Sequence, residues 1–138
     1  MYLRKICFYL FFIIAFVSCK SNNPSTHFQF SCDAESVSGN DFIGSDGEIF
    51  NGGALQTQKY SHSGKSSVEI NKKHQYGFGF SFAPIELGDE INIEVWRLIS
   101  DENLGTLVVT NGKGTNFYLN KSVKTEGKWE LIKKDILI

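Results

Sequence analysis

The chain has little cysteine, little proline and no long apolar run, and each shortage removes a class of answer. Its three cysteines, Cys7, Cys19 and Cys32, cannot build a disulfide framework. No Cys/His set has the spacing of a zinc site either. No cluster of Lys or Arg appears, so nucleic acid is not an expected partner. No segment reaches the ~20 apolar residues needed to cross a hydrocarbon core of ~30 Å. Gly-x-Ser-x-Gly, His-Glu-x-x-His and P-loop signatures are missing. Residues 41–48 fail the EF-hand spacing. The three histidines, His27, His62 and His74, lie in loops with no partnered nucleophile evident. The chain is therefore expected not to be an enzyme. From His27 onward no stretch carries apolar residues at i, i+3, i+4 and i+7, which leaves amphipathic helices out.

What is present begins at the N-terminus. Arg4 and Lys5 precede twelve uncharged residues, Ile6 to Val17, and then Ser18 and Cys19. A short basic stretch, a short apolar run and a small residue before the break are the layout of a secretory signal, expected over residues 1–18 and helical. Phe16-Val17-Ser18-Cys19 resembles the bacterial lipobox. The resemblance implies cleavage before Cys19 and a diacylglycerol on its thiol, hence attachment to the cell envelope. The alternatives are an ordinary signal peptide that happens to end on Cys, or a short uncleaved anchor. Lys20 after Cys19 favours outer-membrane sorting by analogy with known sorting rules. Residues 19–26, with Pro24, form a polar tether. Removing residues 1–18 leaves 120 of the 138 residues, one domain of ordinary size. It also leaves 12 of the 14 basic side chains against all 15 acids. Cys32 is expected to be a small buried apolar residue.

Residues 27–138 read as short strands between turn signals. The expected strands are 27–32, the two arms of 41–50 around Ser45-Asp46-Gly47, 54–59, and 65–71 with Val68 and Ile70 inward. Residues 76–82 show the clearest alternation, with Tyr76, Phe78, Phe80 and Phe82 on one face. Strands at 90–99, 106–110, 115–120 and 128–138 follow, broken by Asn111-Gly112 and Glu126-Gly127. Seven to nine strands with turns every ~8–12 residues predict an all-β sandwich or jelly roll.

Four landmarks carry a further resemblance. They are Asp33-Ala34-Glu35, the run Ser61-His62-Ser63-Gly64-Lys65-Ser66-Ser67-Val68, Gly88-Asp89 before Ile91 to Trp96, and Gly127-Lys128-Trp129. In this order they resemble the galactose-binding-like jelly rolls of carbohydrate-binding modules over about 110 residues. The resemblance implies a β-sandwich that binds glycan. It also implies a further hairpin after residue 138, so the chain is expected to lack the last strands; the alternative is a smaller variant closed by residues 135–138. A structural calcium ion is implied too, held by Glu35, the Lys65 carbonyl and, as a substitute for the missing strand, Asp135. Otherwise these acids are solvated or cap turns.

Alternation along 90–99 places Ile91, Ile93 and Val95 inward and Asn92, Glu94 and Trp96 outward. A Trp beside an amide and a carboxylate suits stacking on a pyranose with hydroxyl recognition. Trp96, Glu94 and Asn92 are the expected glycan contacts, with Tyr76 and Tyr118 as further aromatic candidates. Arg97 turns back toward the core, and Trp129 is expected to cap one end of it. The expected function is a lipid-anchored, non-catalytic glycan-binding protein of the bacterial envelope. The alternatives are a structural or protein-interaction lipoprotein, or a fragment of a longer surface protein.

Overall fold

Turn chemistry and period-two alternation account for most of the strands. The structure, a computed structural model, describes residues 27–100 and 105–138; the expected signal sequence, Cys19 and the expected tether lie outside the described residues. Ten strands are present among the described residues: β1 (Val37–Ser38), β2 (Asp41–Ile43), β3 (Ile49–Asn51), β4 (Gln56–Thr57), β5 (Ser67–Val68), β6 (Glu90–Leu98), β7 (Leu107–Thr110), β8 (Asn116–Leu119), β9 (Ser122–Glu126) and β10 (Trp129–Leu137). They form four antiparallel sheets, ordered β1-β2-β3, β6-β10-β9, β4-β5 and β7-β8. The only helical element described is the 3-10 turn Gly53–Leu55. The described residues are all-β, and among them no helix is long and apolar enough to cross a membrane.

The largest sheet is built on the antiparallel pairing of β6 with β10 over nine residues, from Trp129 opposite Leu98 to Leu137 opposite Glu90. Cross-strand partners share a face. One face carries Ile91, Ile93 and Val95 beside Ile132 and Ile136, and Ile132 is fully buried. Arg97 shares that face, as its position in the alternation requires. It is 10% exposed and donates from Nε to Glu130 Oε1 at 2.7 Å. Its other guanidinium nitrogens donate to the carbonyls of Gly105 and Asn120, at the two ends of the β7–β8 hairpin. The Arg97 bond and the Ser122 hydroxyl hold the Glu130 carboxyl below the usual glutamate range. One arginine thus ties three segments together.

A second core forms around Phe42 and Phe50, cross-strand partners on β2 and β3, with Ala34. Cys32, Val68 and Phe80 pack against it. Burial pushes the Cys32 thiol above its ordinary value, in keeping with a packing residue.

Two expected strands are corrected. Residues 27–32 form no strand, and Phe28 is 76% exposed. Residues 76–82 pair with β3 only at Gly79, which exchanges backbone bonds with Asn51. Their alternation still arranges rings, because Phe78 and Phe80 stack on Phe50 at 5.3 and 4.3 Å. It does not supply a hydrogen-bonding partner, which must come from elsewhere in the chain. Ile70, expected inward, lies beyond the end of β5 and is about half exposed. Strand β9 was not expected; its one apolar side chain, Val123, faces water.

Candidate functional site

The site begins with a turn. In residues 61–67 the backbone N–H groups of Lys65 and Ser66 point at Glu35 Oε1, at 2.6 and 2.7 Å. The Ser66 hydroxyl donates to Oε2. Gly64 adopts φ +63° here, and a Cβ on it would lie 2.3 Å from Glu35 Oε1. Only glycine lets the carboxylate come this close while taking a left-handed conformation cheaply. Ser67 Oγ donates to the Tyr60 carbonyl at 2.6 Å and closes the loop. Glu35 and Lys65, expected as calcium ligands, are thus joined as acceptor and donor. No group of three His, Cys, Asp or Glu side chains able to hold a metal occurs among the described residues.

The clamped loop carries Tyr60 and His62 onto the face of β6 and β10 that bears Trp96 and Trp129. His62 stacks on Trp96 with ring centroids 4.1 Å apart and 16° between planes, and meets Trp129 edge-on at 5.6 Å. Lys124 Nζ lies over the Trp96 ring at 5.4 Å, a cation–π distance. Beside these rings opens a pocket of about 360 Å³, lined by Tyr60, Ser61, His62, Leu98, residues 126–128 and Trp129. Its volume falls within the ~300–1,000 Å³ of small-ligand sites. Its lining combines the aromatic residues with Ser61, Lys128 and Glu126, the last already paired with Lys124 at 3.1 Å.

Trp96, Glu94 and Asn92 do share one face of β6, but two of them already have partners. Glu94 pairs with Lys133 at 3.2 Å, and the Asn92 amide donates to Asp135. Trp96 is half-buried beneath His62 and serves as its support. Tyr118 lies elsewhere. Arg97 and Lys134 occupy the face opposite Trp96; Arg97 binds both ends of the β7–β8 hairpin, and Lys134 Nζ lies 5.5 Å from the Phe117 ring. The hairpin therefore covers that opposite face, and Tyr118, alternating with Phe117, points away from it. Tyr76 is 93% exposed. The structure brings neither tyrosine to Trp96.

Tyr60, His62 and Trp129 were missed as site residues. The available signals were an aromatic and a histidine just before the Ser63-Gly64 turn, and a tryptophan just after the Gly127 turn. Turn termini on a sheet are where exposed rings collect, but no local pattern shows that these two turns meet.

Hydrogen bonds to its charged form hold the Glu35 carboxyl below the usual glutamate range, chiefly those from the Lys65 and Ser66 backbone. A folded-state value below the unfolded one contributes stability above the usual range, and that contribution is lost as pH falls through the depressed value. The loop is therefore expected to loosen on acidification below the usual glutamate range. Glu35→Gln should remove this acid-side step from the pH profile of Trp fluorescence; an unchanged step would show that Glu35 does not control the loop.

No protein-family model, curated protein or solved structure matches the chain.

Proposed function

We propose that this chain is a lipid-anchored, non-catalytic binding protein of the bacterial envelope, held by Cys19 and sorted to the outer membrane. On this reading the fold is a galactose-binding-like jelly roll, and the ligand is a glycan that enters the pocket between Tyr60, His62 and Trp129. The observation that carries the reading is the convergence of His62, Trp96 and Trp129 beside an open pocket. A sugar ring presents an apolar face for stacking and hydroxyls at its rim, and the pocket offers rings flanked by a hydroxyl, an amine and a carboxylate. Trp96 backs His62 in this arrangement.

A glycan array on the full chain, followed by titration of the best ligand, tests the assignment. Tyr60 is 53% exposed, so Tyr60→Ala leaves the packing intact. Loss of one stacking ring is worth ~1 kcal/mol, a roughly five-fold weaker Kd. Binding unaffected by Tyr60→Ala and by His62→Ala would remove the pocket from consideration. The anchor is tested separately. Metabolic labelling with palmitate should mark the wild-type chain and leave Cys19→Ser unlabelled; label on both would mean that Cys19 is not the acceptor.

A further inference from the structure

The loop that brings His62 to Trp96 also borders a second cavity. His62 lines the aromatic pocket, and the next residue, Ser63, lines a cavity of about 380 Å³ together with Ser31, Asp33, Ser36 and Ser45. Consecutive Cα atoms stand ~3.8 Å apart, so a single step of backbone separates the two linings.

The walls of this cavity are held by the protein's own bonds. Ser45 N–H donates to the Ser31 carbonyl at 2.9 Å, and the two serine hydroxyls bond each other at 2.8 Å. Ile43 N–H donates to the Ser36 carbonyl at 2.9 Å. Gly44 permits this close approach, since a Cβ on it would sit 2.7 Å from the Ser31 oxygen. Asp33 Oδ1 accepts the Glu35 N–H at 3.0 Å, and the Glu35 carboxylate holds Lys65 and Ser66 in the loop. The segment that lines one cavity therefore fixes the loop that lines the other.

The chemistry of the lining selects its occupant. Among the described residues no cation and no aromatic ring lines the second cavity. An anion would meet the Asp33 carboxylate with no compensating charge, and an apolar ligand would find no ring to stack on. Serine hydroxyls donate and accept, and a carboxylate accepts strongly. That set matches the hydroxyls of a neutral sugar, each of which does both. Among the described residues no group bonds Asp33 Oδ2 or the Ser36 and Ser63 hydroxyls, so these atoms keep their capacity for a ligand. Preformed walls lower the ordering cost of binding.

We propose that the serine-lined cavity is a second sugar subsite, taking a neutral unit of the same oligosaccharide whose other unit stacks in the aromatic pocket. This inference rests on the glycan reading of that pocket. An oligosaccharide crossing the loop at residues 61–63 has one unit against rings and a further unit against hydroxyls. The protein then reads a stretch of glycan, and a single sugar fills only part of the site.

Isothermal titration of the full chain with neutral gluco-, galacto-, manno- and xylo-oligosaccharides of one to six units tests this. In a series that binds, Kd should fall with length beyond the shortest member bound. Ser36→Ala with Ser63→Ala should weaken the longer members by about five-fold for each hydrogen bond lost and leave the shortest unchanged. Both serines are exposed, so their truncation leaves the core intact. Tyr60→Ala should weaken every length. A double-serine variant that binds every length as tightly as wild type overturns the second subsite; the aromatic pocket then stands if Tyr60→Ala still weakens binding, and falls with it if Tyr60→Ala does not. Absence of binding in all four series also overturns the proposal.

Discussion

Phe42→Ala should lower the stability of the domain by ~4 kcal/mol, the usual cost of deleting a fully buried aromatic ring. Phe42 has no exposed surface and is one of only five apolar residues buried among those described. Its ring lies 5.8 Å from Phe78, and its cross-strand partner is Phe50. The cavity cannot close by sliding β2 against β3, because their register is set at three successive pairs. Domains of this size have total stabilities of ~5–15 kcal/mol, so the variant should lose between about a quarter and four-fifths of its stability at 25 °C. With a urea slope of ~2 kcal/mol/M, the midpoint should fall by about 2 M. A shift equivalent to under ~1 kcal/mol would mean that this cluster is not the centre of the fold.

Gly52→Ala should do comparable damage for a different reason. Gly52 has φ +104°, and a Cβ there would sit 1.6 Å from the Gly77 carbonyl oxygen. That oxygen belongs to backbone, so no side-chain rotation relieves the overlap. Residues 77–79 must move away from β3, which breaks the Asn51–Gly79 exchange and pulls Phe78 and Phe80 off Phe50. Loss of packing for two such rings is worth ~4 kcal/mol. Gly79→Ala is the control: its Cβ would find nothing closer than 3.8 Å, at the Asn51 amide. Thermal melts should therefore separate the two variants widely. Equal stabilities would show that the 76–82 segment is not seated on β3.

These two glycines show where local sequence stops being informative. The sheet of β6 and β10 was legible because Ile91, Ile93 and Val95 alternate over a full strand, and its observed limits lie within a residue of those expected. The β2–β3 hairpin was legible from Ser45-Asp46-Gly47. Residues 76–82 alternate as cleanly, yet they find a backbone partner at one residue only. Alternation reports which side chains share a face, and ladder formation depends on a second segment. The reverse holds for β9, whose partner β10 makes it a strand although its own side chains are mostly polar. The candidate site followed the same division. The outward direction of Trp96 could be read from parity. Its cover could not, because His62 arrives from a loop whose path is set by Glu35, 27 residues earlier in the chain. Trp129, expected to cap the core, lines the pocket.

The two tryptophans permit a direct measurement of the central claim. Amide and indole spectra of the ¹⁵N-labelled full chain contain two indole N–H signals, one from Trp96 and one from Trp129. Titration with the best glycan from the array should shift the Trp129 indole signal and the backbone signals of residues 60–62 together, along one saturating curve. Tyr118 and residues on its hairpin should remain in place. Glycan binding that moves the Tyr118 hairpin and leaves the Trp129 indole and residues 60–62 unchanged would contradict the assignment of the pocket.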